Sequence, residues 1–386
     1  MTKVRLIFSL VVCVVLVMGV SAQAEDDDGP PPHVVIGIDG NASVERGDRA
    51  ANALLAGAAP LTTGSVVWSD DLIRVDEFTT VWVLCANLDV DVIDVFSRSP
   101  ECATDVEPRV ITWGGLDVVE RSKRSTGDNE FLHIISPRNT DLMYGNPDIR
   151  WRGLPNAVSY TVRLEQADGT IIWEEDGITD TVVEWPAGEF MQPDQEFVFS
   201  VVAFNSNGEI ISTRPYPYFA DRNVTVLNFN TRTPLEEELV SLDNIDYPVD
   251  TAEGIPSYLR AMFFYRNGLY ADALMELATL INVVEPGVQD AVGLPGSPYI
   301  YFLLGDVYMQ TNLPDLAEIA YQVALDAAIQ DEDQSSESVA YLRLAGLTNL
   351  PDEKRTYYQN ALEILVDIGG AEAVVADIEA RIADLD

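Results

Sequence analysis

Residues 297–330 read SPYIYFLLGDVYMQTNLPDLAEIAYQVALDAAIQ, and the spacing within this stretch decides the fold. Tyr301, Leu304, Gly305 and Tyr308 fall at i, i+3, i+4 and i+7, the positions that share one face of a helix. Asn312, Leu313, Pro314 and Asp315 break that pattern. Ala317, Tyr321 and Ala324 then open a second helix at i, i+4 and i+7. Small residues at Gly305, Ala317 and Ala324 let two antiparallel helices approach closely, with the tyrosines filling the seam beside them.

The unit recurs on both sides. Thr311-Asn312-Leu313-Pro314-Asp315, with Tyr321-Gln322 and Ala324-Leu325 behind it, returns as Thr348-Asn349-Leu350-Pro351-Asp352, Tyr358-Gln359 and Ala361-Leu362. Upstream, Ala261, Phe264, Gly268, Tyr270, Ala273, Leu277 and Leu280 keep the same order of small and large residues. Gly268 stands in register with Asn312, and both residue types tolerate the left-handed backbone that ends a helix. Such self-similarity is the mark of a stacked helical array; an ordinary helical bundle is the alternative.

The aromatic, Leu-Gly, Tyr, Ala, aromatic, Ala order at Tyr301, Leu304-Gly305, Tyr308, Ala317, Tyr321 and Ala324 resembles the tetratricopeptide repeat. The likeness covers residues 255–386. The first unit departs from it with Arg260 at a Leu position and with a Gly/Pro-rich loop through Pro286, Gly293 and Pro298. The third departs with Leu342 and Lys354 at small positions, as a terminal repeat would, and residues 371–383 would be a closing helix over the last face. In that family the first helix of each pair lines a concave groove that holds a polypeptide. Carried over, the groove is Tyr258, Met262, Tyr265 and Arg266 from the first unit and Phe302, Asp306, Met309 and Gln310 from the second. Aromatic, Met and Arg side chains of this kind carry binding energy at interfaces.

The bulk of the chain narrows its partners. It has 386 residues, 47% of them hydrophobic, and 63 acids against 23 Lys and Arg for a net charge of -40. Nucleic acid and bare anionic membrane need basic clusters, so this balance speaks against both. The acidity suits solubility, weak cation uptake or a basic protein or peptide partner, and a salty or acidic habitat explains it equally. Residues 1–24 read as an export signal: Lys3 and Arg5, an apolar core from Leu6 to Val20, and the small-x-small site Ala22-Gln23-Ala24, with cleavage near Ala24. Retention of the segment as an anchor is the alternative. Residues 25–33 form an acidic, Pro-rich linker.

Residues 34–130 read as short strands. Pro60 to Gly64, Asp71 to Val75 and Thr80 to Cys85 resemble the FecR-like domain, without the cytoplasmic and membrane segments of its signalling members. Val34 to Ser43 resembles the opening strand of universal stress proteins, but no phosphate loop follows, so a plain strand and turn is the reading. Residues 131–222 alternate with period two at Tyr160, Val162 and Leu164 and at Phe197, Phe199, Val201 and Ala203. Asp168-Gly169 and Asn207-Gly208 supply hairpin turns. The run from Met191 to Gly208 resembles fibronectin type III domains, which implies a sandwich with Trp151 in its core. Residues 223–254 are a linker with a short helix, whose start signal is Thr233-Pro234 ahead of three Glu. The expected fold is therefore two all-β domains, a FecR-like β-roll or sandwich and then an immunoglobulin/fibronectin-like sandwich, followed by an all-α array of tetratricopeptide-like repeats.

Candidate chemistry is sparse. Cys85 and Cys102 remain once the signal is removed, and in an exported chain they pair most simply as one structural disulfide. The two histidines, His33 and His133, lie in no Cys/His cluster, and no nucleophile elbow, zinc motif, Walker loop or dinucleotide fingerprint occurs. Neither a cofactor nor a metal is expected. The residues point to an exported, non-catalytic adaptor holding its partner in the array groove. The alternative is an envelope or glycan-binding protein working through the β domains, with Trp173 and Trp185 either stacking on sugars or packing in a core.

Overall fold

The structure is a computed structural model describing residues 33–45, 58–76, 79–94, 99–102, 132, 134–166, 168–186, 191–211, 223–248, 254–281, 297–369 and 372–385. The expected export signal, the linker before His33, His133 and the loop through Pro286 and Gly293 lie outside the described residues. A β-rich half precedes a helical half.

The first β unit contains β1 (His33–Asp39), β2 (Ala42–Glu45), β3 (Ala58–Pro60), β4 (Val66–Val67), β5 (Leu72–Val75), β6 (Thr80–Leu84) and β7 (Val90–Ile93). They form two antiparallel sheets, ordered β4-β1-β6-β7 and β3-β2-β5. Side chains of β1 alternate between two cores. Val35 joins Val44, Ile73, Val81 and Val83 inside the unit, whereas Val34 and Ile36 belong to the core of the helical half. Strands β4 and β6 divide likewise, with Val67 and Val83 inward and Val66 and Leu84 toward the helices. A strand covered on both faces reads as an unbroken apolar run, which is why Val34-Val35-Ile36 shows no alternation. Cys85 and Cys102 form a disulfide with their Cα atoms 5.5 Å apart. Both are buried in the unit's own core.

The second β unit contains β8 (Ile134–Ser136), β9 (Thr140–Leu142), β10 (Ile149–Trp151), β11 (Ser159–Gln166), β12 (Ile171–Ile178), β13 (Val182–Val183), β14 (Glu196–Phe204) and β15 (Asn223–Val226). Its sheets, ordered β13-β10-β8 and β12-β11-β14-β15-β9, enclose Trp151, Tyr160, Leu164, Phe197 and Phe199. Every pairing is antiparallel except β15 with β9. Gly169 and Gly208 take positive φ at the two hairpin turns read from the sequence.

The helices are α1 (Phe229–Asp243), α2 (Ile255–Arg266), α3 (Tyr270–Ile281), α4 (Pro298–Gln310), α5 (Pro314–Gln330), α6 (Gln334–Leu347), α7 (Pro351–Asp367) and α8 (Glu372–Ala383). They pack as the hairpins α2/α3, α4/α5 and α6/α7, with α8 against α7. Helices α2 and α4 end alike, in left-handed residues Gly268 (φ 74°) and Asn312 (φ 58°). The following N–H groups, of Leu269 and Leu313, reach back to the carbonyls of Phe264 and Tyr308 at 2.9 and 2.8 Å. That bond closes the last turn and turns the chain sharply enough for an antiparallel return.

Helix α1 starts earlier than the Thr233-Pro234 signal implied. Asn228 is its N-cap, accepting from Thr231 N–H at 3.1 Å, and Pro234 lies inside the helix. Arg260, the departure in the first repeat, bonds Glu276 on α3 at 2.8 Å and Asp243 on α1 at 3.1 Å, tying three helices where Leu would tie two.

A β-carbon on Gly305 would lie 2.2 Å from Cε1 of the fully buried Tyr321 ring. Gly305→Ala is therefore expected to destabilise the protein by about 1–3 kcal/mol through overpacking, read as a fall in the urea midpoint.

Candidate functional site

The sequence placed the site on the expected inner face of the array, on α2 and α4. Tyr258 (2% exposed), Met262 (2%), Phe302 (3%), Asp306 (8%) and Met309 (8%) are all buried there. Tyr265 and Gln310 are half-buried and bonded to each other, and Arg266 is exposed at the rim. Tyr258, Met262, Phe302 and Met309 share one apolar cluster with Val34, Ile36, Val66, Trp68 and Leu84 of the first β unit. The turn at Gly64 comes against Tyr258 and Ser297, and β3 lies against α6. The chain's own sheet thus shares one core with these candidate groove residues.

Asp306 has a structural partner set rather than an open aspect. It accepts from the Tyr321 hydroxyl at 2.6 Å and pairs with Arg343 at 3.1 Å, joining α4, α5 and α6. Burial pushes its carboxyl above the usual range, while Arg343 and Tyr321 oppose the shift. His33 is equally structural. It is fully buried, with Nδ1 accepting from Ala86 N–H at 3.3 Å and Nε2 2.9 Å from Ser69 Oγ. Trp173 and Trp185 are half-buried and packed together, ring centres 5.5 Å apart, with Trp185 edge-on to Phe199.

The second β unit grips the array from the other side. Its β8–β9 turn points Arg138 and Asn139 at the end of α4, where Arg138 Nε donates to Thr311 O at 2.8 Å and Asn139 Nδ2 to Gln310 O at 2.7 Å. Last-turn carbonyls lack partners within their helix and carry partial negative charge, so a guanidinium and an amide suit them. Strand β9 then runs along the start of α3. Asp141 N–H donates to Gly268 O at 3.4 Å, and Ala271 N–H to Thr140 Oγ1 at 3.3 Å.

Beyond this grip the two surfaces diverge around a cleft of about 640 Å³. Its helical wall is apolar, with Leu274, Met275 and Ala278 of α3 and Ile319 and Ala320 of α5. Met275 (49% exposed) and Ile319 (37%) reach solvent. The β wall mixes Leu142, Tyr144, Trp151 and Val182 with Asp148, Arg150 and Arg152. Asp148 and Arg150 pair across 3.4 Å. Trp151 Nε1–H is buried without an acceptor. Asp272, in the first turn of α3, accepts from Met143 N–H at 3.4 Å. Burial above all, with Glu276 nearby, pushes its carboxyl up to about 6, against the backbone donors that favour its charge.

None of the eight groove residues assigned from the sequence lines this cleft, although Trp151, Leu277, Leu304 and Tyr308, read there as core or repeat positions, do. One signal was available: α3 is apolar beyond a single stripe, since Met275 and Ala278 add to Ala273, Leu277 and Leu280, and such a helix has more than one neighbour. Among the described residues, no group of three or more His, Cys, Asp or Glu is arranged to hold a metal, and no helix is long and apolar enough to cross a membrane.

Asp272 gives the cleft a pH signature. Its folded carboxyl, near 6, lies above the unfolded value of about 3.9, so the native state holds a proton that the unfolded state has released in between. Stability is therefore lost as pH rises through that window. Glu276 on its own helix, Tyr308 on α4, and Tyr144, Asp148, Arg150 and Arg152 on the facing unit are the charged or titratable groups in or beside the cleft. Asp272→Asn removes this titration, so relative to the native chain it is expected to gain about 2 kcal/mol between about pH 4 and about pH 7. Urea unfolding at the two pH values measures the difference. No protein-family model matches the chain and no similar curated protein was found.

Proposed function

We propose that the chain is an exported, non-catalytic scaffold that binds a polypeptide partner in the cleft between its second β unit and helices α3 and α5. The paired helices support a tetratricopeptide-like reading of the array, and the β-sandwich with its buried Trp151 supports a fibronectin-like reading of the second unit. A disulfide fits an oxidising compartment, which agrees with the export signal read in residues 1–24. The observation that carries the proposal is that Tyr258, Met262, Phe302, Asp306 and Met309 are buried, most of them in a core shared with the first β unit, while the cleft is open and lined by the exposed Met275 and Ile319. Uncovering that core would return Val34, Ile36, Val66, Trp68 and Leu84 to water, at about 1.5–3 kcal/mol for each large side chain. A partner meets no such cost at the cleft, whose volume lies in the range of ordinary ligand sites.

Random peptides displayed on phage and selected on residues 25–386 test this reading. Selected peptides are expected to lose at least about tenfold in affinity on the double variant Met275→Glu, Ile319→Glu, because two exposed apolar contacts become charged. Arg266→Ala, at the rim of the inner face, is expected to leave them unchanged. The opposite pattern, or no selectable peptide, overturns the proposal. Unchanged melting temperature in both variants guards against loss of fold.

A further inference from the structure

The charges lining the cleft narrow what enters it. Arg150 is matched by Asp148 at 3.4 Å, and Arg152 is also engaged. Asp272 is different: backbone N–H groups, that of Met143 at 3.4 Å and its own, are the donors that reach it, and among the described residues no Lys or Arg pairs with it. The helical surface on either side of it is apolar, through Ala271, Leu274 and Met275. A carboxyl group set into an apolar wall favours a cation brought by a ligand, because the pair forms where water is partly excluded. The formal charge of -40 works in the same direction, repelling acidic segments and drawing basic ones.

Resting on the cleft as the partner site, we infer that the partner segment is one in which a Lys stands between large apolar side chains, the ammonium meeting Asp272 and the apolar groups covering Met275 and Ile319. Asp272 is then the residue that sets specificity, and the apolar wall supplies most of the affinity. A small amphiphilic amine or a second copy of the chain is a different occupant. The second copy is disfavoured, since two such acidic chains repel.

The test uses residues 25–386 and two peptides with both ends blocked, phenylalanine–lysine–phenylalanine and the same peptide with norleucine for lysine, which keeps the aliphatic stem from Cβ to Cε and removes the ammonium. Titration calorimetry at about pH 8, where Asp272 is ionised, is expected to show at least about a tenfold preference for the lysine peptide. Asp272→Asn keeps the side-chain shape and an acceptor for Met143 N–H, and is expected to reduce that preference to less than about twofold while the norleucine peptide binds as before. Equal binding of both peptides to the native chain, or a preference that survives Asp272→Asn, overturns the inference while leaving the cleft as a peptide site. Failure of both peptides to bind, with phage-selected peptides still sensitive to the Met275 and Ile319 substitutions, overturns it as well. Loss of that sensitivity overturns the cleft reading itself.

Discussion

An apolar surface cannot be left in water, and this constraint organises the molecule. Helices α2 and α4 present Tyr258, Met262, Phe302 and Met309 on one side, and the sheet β4-β1-β6-β7 presents Val34, Ile36, Val66 and Leu84 on the other. Each surface solves the other's problem. A free sheet with two apolar faces is an aggregation hazard, and an uncovered groove of aromatics is a sticky patch. Their union makes one core that runs through both halves of the protein. The buried Asp306–Arg343 pair crosses that core between α4 and α6, where loss of either partner would strand a charge.

Once the first β unit is seated, the second has a restricted choice of position. The helix ends at Gly268 and Thr311 expose carbonyls that need donors, and the β8–β9 turn delivers Arg138 and Asn139 to one and the edge of β9 to the other. These contacts are short, local and directional. They fix the angle at which the sandwich meets α3, and the cleft is the space that this angle leaves beyond the contacts. The open site is thus a consequence of the same helix ends that define the repeat.

The repeat was legible because its physics is local. Gly305 beneath the Tyr321 ring, and the left-handed ends at Gly268 and Asn312, are requirements that a few adjacent residues must satisfy by type. The hairpin turns at Gly169 and Gly208 were readable for the same reason, as was the pairing of Cys85 with Cys102. The start of α1 was misplaced because Asn228 is an equally good cap five residues before Thr233, and a proline inside an early turn does not end a helix.

What covers each surface was not legible. Tyr258 and Phe302 are the same residue types whether a foreign peptide or the protein's own strand lies on them, and periodicity reports a face without naming its neighbour. Val34-Val35-Ile36 carried a hint, since an unbroken apolar run implies cover on both sides. The amino-acid order by itself therefore determined the helices, their small-residue seams, their terminating turns and the β-rich character of the first half, all set by contacts within a few residues. Only the tertiary structure decided that the candidate groove residues share a core with the first β unit and that a cleft opens beside Asp272. Both depend on contacts between segments more than a hundred positions apart, such as Arg138 with Thr311, whose meeting no local pattern encodes.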